Sequence, residues 1–151
     1  MSRHPYLEAR IPTLLDPSLA PAGKHLLTIQ MQYAPYHLRP DGWDAAAKDR
    51  LADLAIETLS SYAPNVRGSV LGRHVVTPKD LEDRYGLTEG HGDHGELTLD
   101  QILFMRPVAG WARYRTPIEG LFLCGAGTHP GGGLAGAAGR NAAKEMLKER
   151  R

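Results

Sequence analysis

Alternation of apolar and polar side chains predicts a strand in the first quarter of the chain. Over residues 27–33, with the sequence LTIQMQY, apolar side chains occupy every second position. This period of two is typical of a half-buried strand with one polar face. Pro35 and Pro40 should end it. The proline-rich residues 1–24 predict irregular structure, with a short extended piece over residues 7–15.

Two helices are predicted in the middle of the chain. Residues 43–62 carry apolar side chains on one stripe at a spacing of 3.6 residues, and Pro64 should stop this helix. The stripe consists of Ala47, Leu51, Leu54, Ala55, Leu59 and Tyr62. A second helix should begin at Thr77, a hydroxyl N-cap that is followed by Pro78 and by an acid in the first turn. Gly86 should end it.

Four shorter patterns predict further elements. Residues 69–76 predict a strand, and the capping-box spacing of Thr98 and Gln101 predicts a short helix over residues 99–104. Residues 121–124, LFLC, are bounded by glycines and predict a strand buried on both faces. Cys124 should be a small buried residue at its end. Residues 133–149, with alanines on one side, predict the last helix.

Composition and charge exclude several classes of function. The chain has 151 residues, the size of one compact domain, and a formal charge of +1, which gives no electrostatic footprint for nucleic acid. The single cysteine excludes an internal disulfide and a CxxC metal site. The loop at His91, Asp93 and His94 lacks a fourth ligand, so we predict no metal. No apolar run has the length of a membrane helix, and no signal peptide is recognisable. We expect a cytoplasmic protein, with peripheral membrane association left open.

Glycine is concentrated near the end of the chain. Eight of the 17 glycines lie at Gly120 or between Gly125 and Gly139. A strand, a glycine turn and a helix N-terminus in succession form a site for anions, because the first amides of a helix are unpaired and carry partial positive charge. Residues 131–136 match G-x-G-x-x-G, but no second strand and no ribose-binding acid follow, so this is not the adenosine-binding βαβ unit. A glycine-rich turn without a ligand is the alternative.

The chain resembles the C-terminal portion of the phytoene dehydrogenase-like (carotenoid desaturase type) FAD-dependent oxidoreductases. The match spans nearly all of the sequence and is most specific near its end. Its segments are residues 17–24 (PSLAPAGK), 32–36 (QYAPY), 77–81 (TPKDL), 94–95 (HG), 106–107 (RP), 114–117 (YRTP), 123–133 (LCGAGTHPGGG) and 139–143 (GRNAA). The resemblance implies an α+β fold that is the C-terminal piece of an FAD/NAD(P)-binding two-domain flavoenzyme. It implies a cap or substrate-domain segment over residues 1–118 and an FAD-binding strand, turn and helix over residues 119–151.

The resemblance also implies the residues that contact FAD. Gly125 and Ala126 stand where related flavoenzymes often carry glycine and an acid, so Ala126 leaves only its amide for the cofactor. A helix beginning near Gly132 would place its N-terminus at the flavin, and His129 follows the turn as a candidate contact or as a loop cap. The full predicted set is Gly125, Ala126, Gly127, His129, Gly132, Gly133, Leu134 and Ala135. No catalytic residue is predicted.

Two functions stay open. The first is hydride transfer from an apolar, polyene-like substrate to FAD by an oxidoreductase of which this chain is the C-terminal part. The second is a non-catalytic module that binds a partner chain and no FAD. The N-terminal fingerprint for the ADP half of FAD is missing, so we expect the isolated chain to hold FAD weakly and to be inactive. We expect an exposed apolar face on residues 121–124 and the final helix, which would bind an FAD-domain chain or a second copy.

Overall fold

The structure is a computed structural model that describes residues 2–39, 42–133 and 135–149. The chain forms two compact units, with the boundary between Asp80 and Leu81. The described residues form four α-helices and one two-stranded antiparallel sheet. This composition confirms the α+β class. The predicted functional division at residues 118 and 119 stays a prediction.

The sheet of the first unit pairs β1, Tyr6–Arg10, with β2, Thr28–Gln32. The strands are antiparallel, with Tyr6 opposite Gln32 and Arg10 opposite Thr28. In β2 the side chains of Ile29 and Met31 are half-buried, whereas the polar residues between them are exposed. The alternation predicted for residues 27–33 is therefore confirmed. The extended piece predicted over residues 7–15 is confirmed only in its first part, which forms β1, because Pro12–Leu14 forms a 3₁₀ turn.

Helix α1, Ala45–Ser60, forms the small apolar core of the first unit. Its N-cap is Asp44, whose carboxylate accepts a hydrogen bond from the amide of Ala47 at 2.6 Å. Ala47, Leu51 and Ala55 are buried, which is the i, i+4, i+8 stripe of an amphipathic helix. The helix ends two residues before the predicted Tyr62, whose side chain is exposed. The short helix α2, Val66–Ser69, follows.

Helix α3, Pro78–Tyr85, begins at the predicted cap. The Oγ1 of Thr77 accepts from the amide of Asp80 at 3.2 Å, and the Asp80 carboxylate accepts from the amide and the hydroxyl of Thr77. These reciprocal bonds form a capping box with aspartate in place of glutamate. Lys48 of α1 donates to the same carboxylate at 2.7 Å. Hydrogen bonding from Lys48 and Thr77 holds the pKa of Asp80 well below its usual value.

We expect Asp80 to make the stability of the chain dependent on acid pH. A carboxyl group with a lowered folded-state pKa stabilises the fold above its unfolded pKa of about 4, and this contribution is lost as the pH falls below that value. Asp80→Asn should lower the free energy of unfolding at pH 7 by about 1 kcal/mol, the size of a lost cap. Urea titrations from pH 7 to pH 3 would measure both effects. Equal acid sensitivity of the wild type and Asp80→Asn would contradict the assignment, and Lys48→Met separates the ion pair from the cap.

Three predicted elements are wrong. The strand predicted over residues 69–76 is absent. Ser69 is the last residue of α2, and residues 70–76 pair with no other strand among the described residues. Residues 99–104 do not form one helix. They contain two 3₁₀ turns, Leu99–Gln101 and Leu103–Met105, which are separated by Ile102 in an extended backbone conformation. The hydroxyl of Thr98 bonds the carboxylate of Asp100 and so does not cap a helix.

The third wrong element is the strand at residues 121–124. Residues 114–123 form a narrow hairpin-like pair instead, with an isolated bridge between Arg115 and Phe122 and a bond from the amide of Leu123 to the carbonyl of Tyr114 at 2.8 Å. Leu121, Leu123 and Cys124 are exposed, so the prediction of burial on both faces is also wrong. A strand of this type needs a parallel sheet on which to pack.

The last helix, α4, spans Ala137–Glu149 and begins four residues later than predicted. Gly133 and Gly136 adopt φ values of 95° and 65°, which lie outside the right-handed helical region. The amide of Arg140 donates to the carbonyl of Gly136 at 3.0 Å, so the helical bonding starts at Gly136. Gly132, Gly133 and Ala135 therefore precede the helix and do not form its first turn.

The chain exposes more surface than compact proteins of its size. Its accessible area is 11,294 Å². A compact monomer of this mass would expose about 7,600 Å², and two separate compact domains of half the mass would expose about 9,100 Å² together. Leu121, Leu123, Met146 and Leu147 are among the exposed apolar side chains, as expected for these two segments. In the part of the chain that the structure describes, no helix is both long and apolar enough to cross a membrane.

Candidate functional site

The glycine turn of residues 125–136 lies in the second unit and is ordered by its own hydrogen bonds. Thr128 is buried, its Oγ1 donates to the carbonyl of Gly125 at 2.8 Å, and its amide donates to the same carbonyl at 3.0 Å. The amide of Gly131 donates to the carbonyl of Thr128 at 2.7 Å. Two successive tight turns therefore define the path of the backbone. The peptide bond between His129 and Pro130 is cis.

Arg106 is the largest fully buried side chain among the described residues and lies against this turn. It is 1% exposed. Its Nε donates to the carbonyl of Ala126 at 3.0 Å, and its Nη2 donates to the carbonyl of Asp93 at 2.6 Å. A longer bond of 3.4 Å joins Nη2 to the carbonyl of His94. One guanidinium thus connects the loop at residues 93–94 to the glycine turn.

The charge of Arg106 is only partly compensated within its surroundings. Its Nη1 is buried and has no hydrogen-bond partner among the described residues. Its other bonds go to backbone carbonyls and not to carboxylates. The Nδ1 of His129 is a second buried nitrogen without a partner among the described residues. Unpaired buried polar atoms are costly and therefore rare in folded proteins.

Tyr114 connects the glycine turn to helix α4. Its side chain is buried, and its hydroxyl donates to the carbonyl of His129 at 2.8 Å. The same hydroxyl accepts from Nδ2 of Asn141 in α4 at 2.9 Å. Tyr114 adopts a φ of 68°, which is uncommon for a bulky residue. These two bonds orient the start of α4 relative to the turn.

Two glycines of the turn lie so close to neighbouring side chains that an added Cβ would force the neighbour to shift. A Cβ built on Gly132 would lie 1.9 Å from Oδ1 of Asp93, so the carboxylate of Asp93 rests directly on this glycine. A Cβ on Gly131, whose φ is 105°, would lie 3.1 Å from Cδ2 of Leu97. At both positions a neighbouring side chain therefore lies directly against the glycine backbone. We call the space above Gly132 the Gly132 cradle.

The structure brings the predicted site residues together in one turn. Ala126, Gly127 and His129 are half-buried, Gly125, Gly133 and Ala135 are exposed, and Gly132 lies beneath the Asp93 carboxylate. Leu134 lies outside the described residues. The assignment of these residues to a cofactor stays a prediction. Among the described residues, no group of three or more His, Cys, Asp or Glu side chains could hold a metal ion.

Sequence reasoning missed the two side chains that organise the turn. Arg106 entered only as part of the two-residue match RP. Tyr114, part of YRTP, is predicted to pack in the core or to line a substrate channel, and its burial agrees with core packing, but no contact with the turn is predicted. No spacing rule connects an arginine to a turn 20 residues later, because their contact depends on how the intervening chain folds. The resemblance itself was the only signal, since both residues belong to segments that matched the family.

Comparison with known proteins gives relatives that share this region. The chain is 47% identical to pyridine nucleotide-disulfide oxidoreductase domain-containing protein 2 of Rattus norvegicus over 149 residues, which are 98% of this chain and 26% of that protein. It is 34% identical to a lycopene-forming phytoene desaturase of Pantoea ananas over 137 residues, 89% of this chain and 26% of that protein. It is 31% identical to a neurosporene-forming phytoene desaturase of Cereibacter sphaeroides over 131 residues, 85% of this chain and 24% of that protein.

These relatives confirm the class that the sequence pattern indicated. The chain belongs with the phytoene dehydrogenase-like oxidoreductases, a group that includes the pyridine nucleotide-disulfide oxidoreductase domain protein and the phytoene desaturases. It spans about a quarter of the length of these relatives, in agreement with the predicted match to a C-terminal portion. No family model matches the chain, and no solved structure matches it.

Proposed function

We propose that this chain supplies one side of an FAD site in an oxidoreductase of phytoene dehydrogenase type, which transfers hydride from an apolar substrate to flavin. The observation that carries the proposal is the glycine turn at residues 125–133, to which the buried guanidinium of Arg106 donates a hydrogen bond at the carbonyl of Ala126. The family membership supports the reaction class. The substrate class rests on the resemblance, and the relatives include proteins named as phytoene desaturases.

Two features of the turn suit a dinucleotide. The Gly132 cradle is a close approach to bare backbone that a Cβ would fill, as a site for a phosphate or an aromatic ring requires. The buried nitrogens Arg106 Nη1 and His129 Nδ1 lack partners among the described residues. We infer that Gly125, Ala126, Gly127, His129, Gly132, Gly133 and Ala135 hold the cofactor, and the prediction for Leu134 stands with them.

The residues of this chain would bind and orient the cofactor. When bound, the flavin would supply the redox chemistry, as the acceptor of the hydride. The amides at the start of α4 and the positive end of its dipole favour a negative charge nearby. Tyr114 keeps this helix end in place through its bonds to His129 and Asn141. Positioning matters more than a strong base for hydride transfer, so this chain needs no acid–base pair of its own.

A flavin titration tests the proposal. We expect FAD added to the purified chain to lose fluorescence on binding, with a Kd at or above about 10 μM, because one side of the site alone offers few contacts. Gly132→Ala should abolish this binding, since the added methyl group fills the cradle. Gly72→Ala is the matched control, because a Cβ at Gly72 meets nothing within 4 Å. Absence of any FAD binding, or equal binding by both variants, would contradict the proposal.

A non-catalytic module that binds a partner chain is the second candidate. The observation in its favour is the accessible area of 11,294 Å², which exceeds the total expected for two separate compact domains. Sedimentation of the chain between low and high concentration, with and without FAD, separates the two functions. Self-association or capture of an FAD-domain chain without flavin binding favours the module, whereas flavin binding favours the oxidoreductase.

A further inference from the structure

The sheet of the first unit has two strands, so each strand has one edge without a pairing partner among the described residues. The free amides and carbonyls of such an edge are a template on which another strand can pair. Among the described elements, β2 packs extensively only on β1. An isolated two-stranded sheet is marginally stable in water, and three or more strands with one apolar face are needed for a stable sheet. A further strand would therefore stabilise this unit.

The two edges of the sheet differ in charge. β1 carries Glu8 and Arg10, which form an ion pair with each other. Residues 26–36, which include β2, carry no charged side chain. Charged side chains on an edge strand are one means by which proteins prevent pairing with another chain. The edge of β2 lacks this protection, so it is the edge that is open to a further strand.

The sequence of β2 is complementary to a second copy of itself. In an antiparallel pair centred on Gln30, Thr28 of one copy lies opposite Gln32 of the other. In the same register Ile29 lies opposite Met31, and the two Gln30 side chains face each other. Directly opposed side chains lie on the same face of a sheet and contact each other. Apolar side chains therefore meet apolar ones and polar side chains meet polar ones, with no charge repelled at the centre.

This pairing would also enlarge the apolar face of the sheet. Within the sheet, Met31 lies opposite Leu7 and Ile29 lies opposite Ala9, so these four side chains share one face. Ile29 and Met31 are only half-buried. Two copies joined through β2 form a four-stranded sheet in the order β1–β2–β2–β1, in which the apolar faces of both copies are continuous.

The exposed area of the chain is large enough for such an interface. The accessible area of 11,294 Å² exceeds that of two separate compact domains by about 2,200 Å². A stable interface takes about 800 Å² from each partner. A second copy of the chain can therefore be accommodated with surface that a compact protein would have buried.

We propose that the chain forms a two-fold symmetric dimer in which the outer edges of β2 from two copies pair antiparallel about Gln30. The occupant of this edge is a second copy of the chain, because a two-fold axis brings the same strand of both copies together and β2 matches itself in that register. The dimer belongs to the first unit and does not depend on the flavin proposal.

A charge exchange at Gln30 tests the dimer. Gln30 is exposed and lies opposite Glu8 within the sheet, so Gln30→Lys should leave the sheet of the single chain intact. At the two-fold axis this variant places two lysines opposite each other, and Gln30→Glu places two glutamates there. Each variant alone should dimerise about five-fold more weakly than the wild type in sedimentation equilibrium, because opposed like charges are destabilising. An equimolar mixture of both variants should recover the wild-type affinity, since a lysine then faces a glutamate.

Asn65→Lys is the matched control for charge. Asn65 is exposed, lies outside the sheet and makes no side-chain cap bond to α2. This variant adds the same charge to the same unit and should dimerise as the wild type does. Circular dichroism of each variant shows whether its fold is kept. If Gln30→Glu does not fold, because it places a second carboxylate beside Glu8, the comparison of Gln30→Lys with Asn65→Lys still decides.

A disulfide at the centre of the pairing tests the register directly. Cys124 is exposed, so Cys124→Ser removes it first. In this background Gln30→Cys places two cysteines opposite each other, with Cβ atoms about 4.5–5.5 Å apart, which a disulfide can bridge after a small shift. Oxidation should produce the covalent dimer about ten-fold faster than in Asn65→Cys, because pairing raises the effective concentration of the two thiols.

Three results overturn the inference. They are a wild type that stays monomeric at the highest concentration reached, equal self-association of the wild type and Gln30→Lys, and equal rates of crosslinking in the two cysteine variants. Self-association through another surface, such as residues 121–124, would give the second of these results. A chain that dimerises as expected and binds no FAD keeps the inference and contradicts only the flavin proposal.

Discussion

Arg106→Met is expected to destabilise the second unit by about 3 kcal/mol. The substitution removes the donor to three carbonyls, those of Asp93, His94 and Ala126. A buried acceptor left without a partner costs about 1–3 kcal/mol. Relief of the desolvation penalty of the guanidinium offsets part of this cost. Because single domains are stable by only about 5–15 kcal/mol, the loss should be visible as unfolding at a lower urea concentration.

The effect should be concentrated in the segments that Arg106 connects. We expect faster hydrogen exchange at the amides of residues 125–131 and 93–95 in Arg106→Met, since the guanidinium holds these two segments together. The amides of β1 and β2, in the other unit, should exchange as in the wild type. Urea denaturation gives the global value, and exchange measured by mass spectrometry gives the local one.

Two further variants test the interpretation. Arg113→Met is the matched control, because Arg113 is exposed and makes no hydrogen bond to the described residues. Surface substitutions of this type usually change stability by less than about 0.5 kcal/mol. Arg106→Lys keeps the positive charge but loses the planar guanidinium, whose nitrogens bond both segments. The stability of this variant should therefore lie between that of the wild type and that of Arg106→Met. Equal stability of Arg106→Met and Arg113→Met would show that Arg106 does not hold the turn.

Gly131→Ala is expected to destabilise the same unit by about 2–4 kcal/mol. Its φ of 105° is a conformation that alanine adopts only with strain, at a cost of about 1–3 kcal/mol. The added Cβ would also lie 3.1 Å from Cδ2 of Leu97, so the exposed side chain of Leu97 must shift to make room. Overpacking of a closed core costs about 1–3 kcal/mol, and this contact should add less than that because Leu97 can move. Thermal and urea unfolding would measure the sum.

Two other glycines of the turn separate the contributions. Gly133 has a similar φ of 95°, but a Cβ there meets nothing within 4 Å, so Gly133→Ala should show the strain alone, about 1–2 kcal/mol. Gly125 has neither a positive φ nor a neighbour within 4 Å, so Gly125→Ala should be nearly neutral. The predicted order of stability is Gly125→Ala, then Gly133→Ala, then Gly131→Ala. Any other order contradicts the explanation for the glycine content of the turn.

Local sequence signals predicted the elements that depend on neighbouring residues. Thr77 and Asp80 are three residues apart, so their reciprocal cap forms wherever the helix forms. The stripe of Ala47, Leu51 and Ala55 follows from the period of the helix alone. The capping box predicted from Thr98 and Gln101 did not form. The hydroxyl of Thr98 bonds the carboxylate of Asp100, which is only two residues away in sequence.

Sequence patterns gave less accurate predictions where the structure of a segment depends on residues far away in the chain. Residues 121–124 have the apolar composition of a buried strand, yet Leu121 and Leu123 are exposed, since no sheet in the described residues covers them. The sequence predicts that the last helix begins at Gly133, within the glycine turn. The positive φ values of Gly133 and Gly136 delay the helix to Ala137, and composition does not encode such backbone angles.

The sequence by itself determined the position of the glycine turn and most of the first unit's elements, because each of these depends on spacing within a short segment, and it determined the family and the α+β class through a resemblance that spans nearly the whole chain. Only the tertiary structure decided that Arg106 bonds the turn, that Asp93 fills its cradle and that Tyr114 joins it to α4. These contacts join residues 15 to 39 positions apart. Their formation depends on how the whole unit folds, since burial and hydrogen-bond satisfaction act between segments that no local period connects.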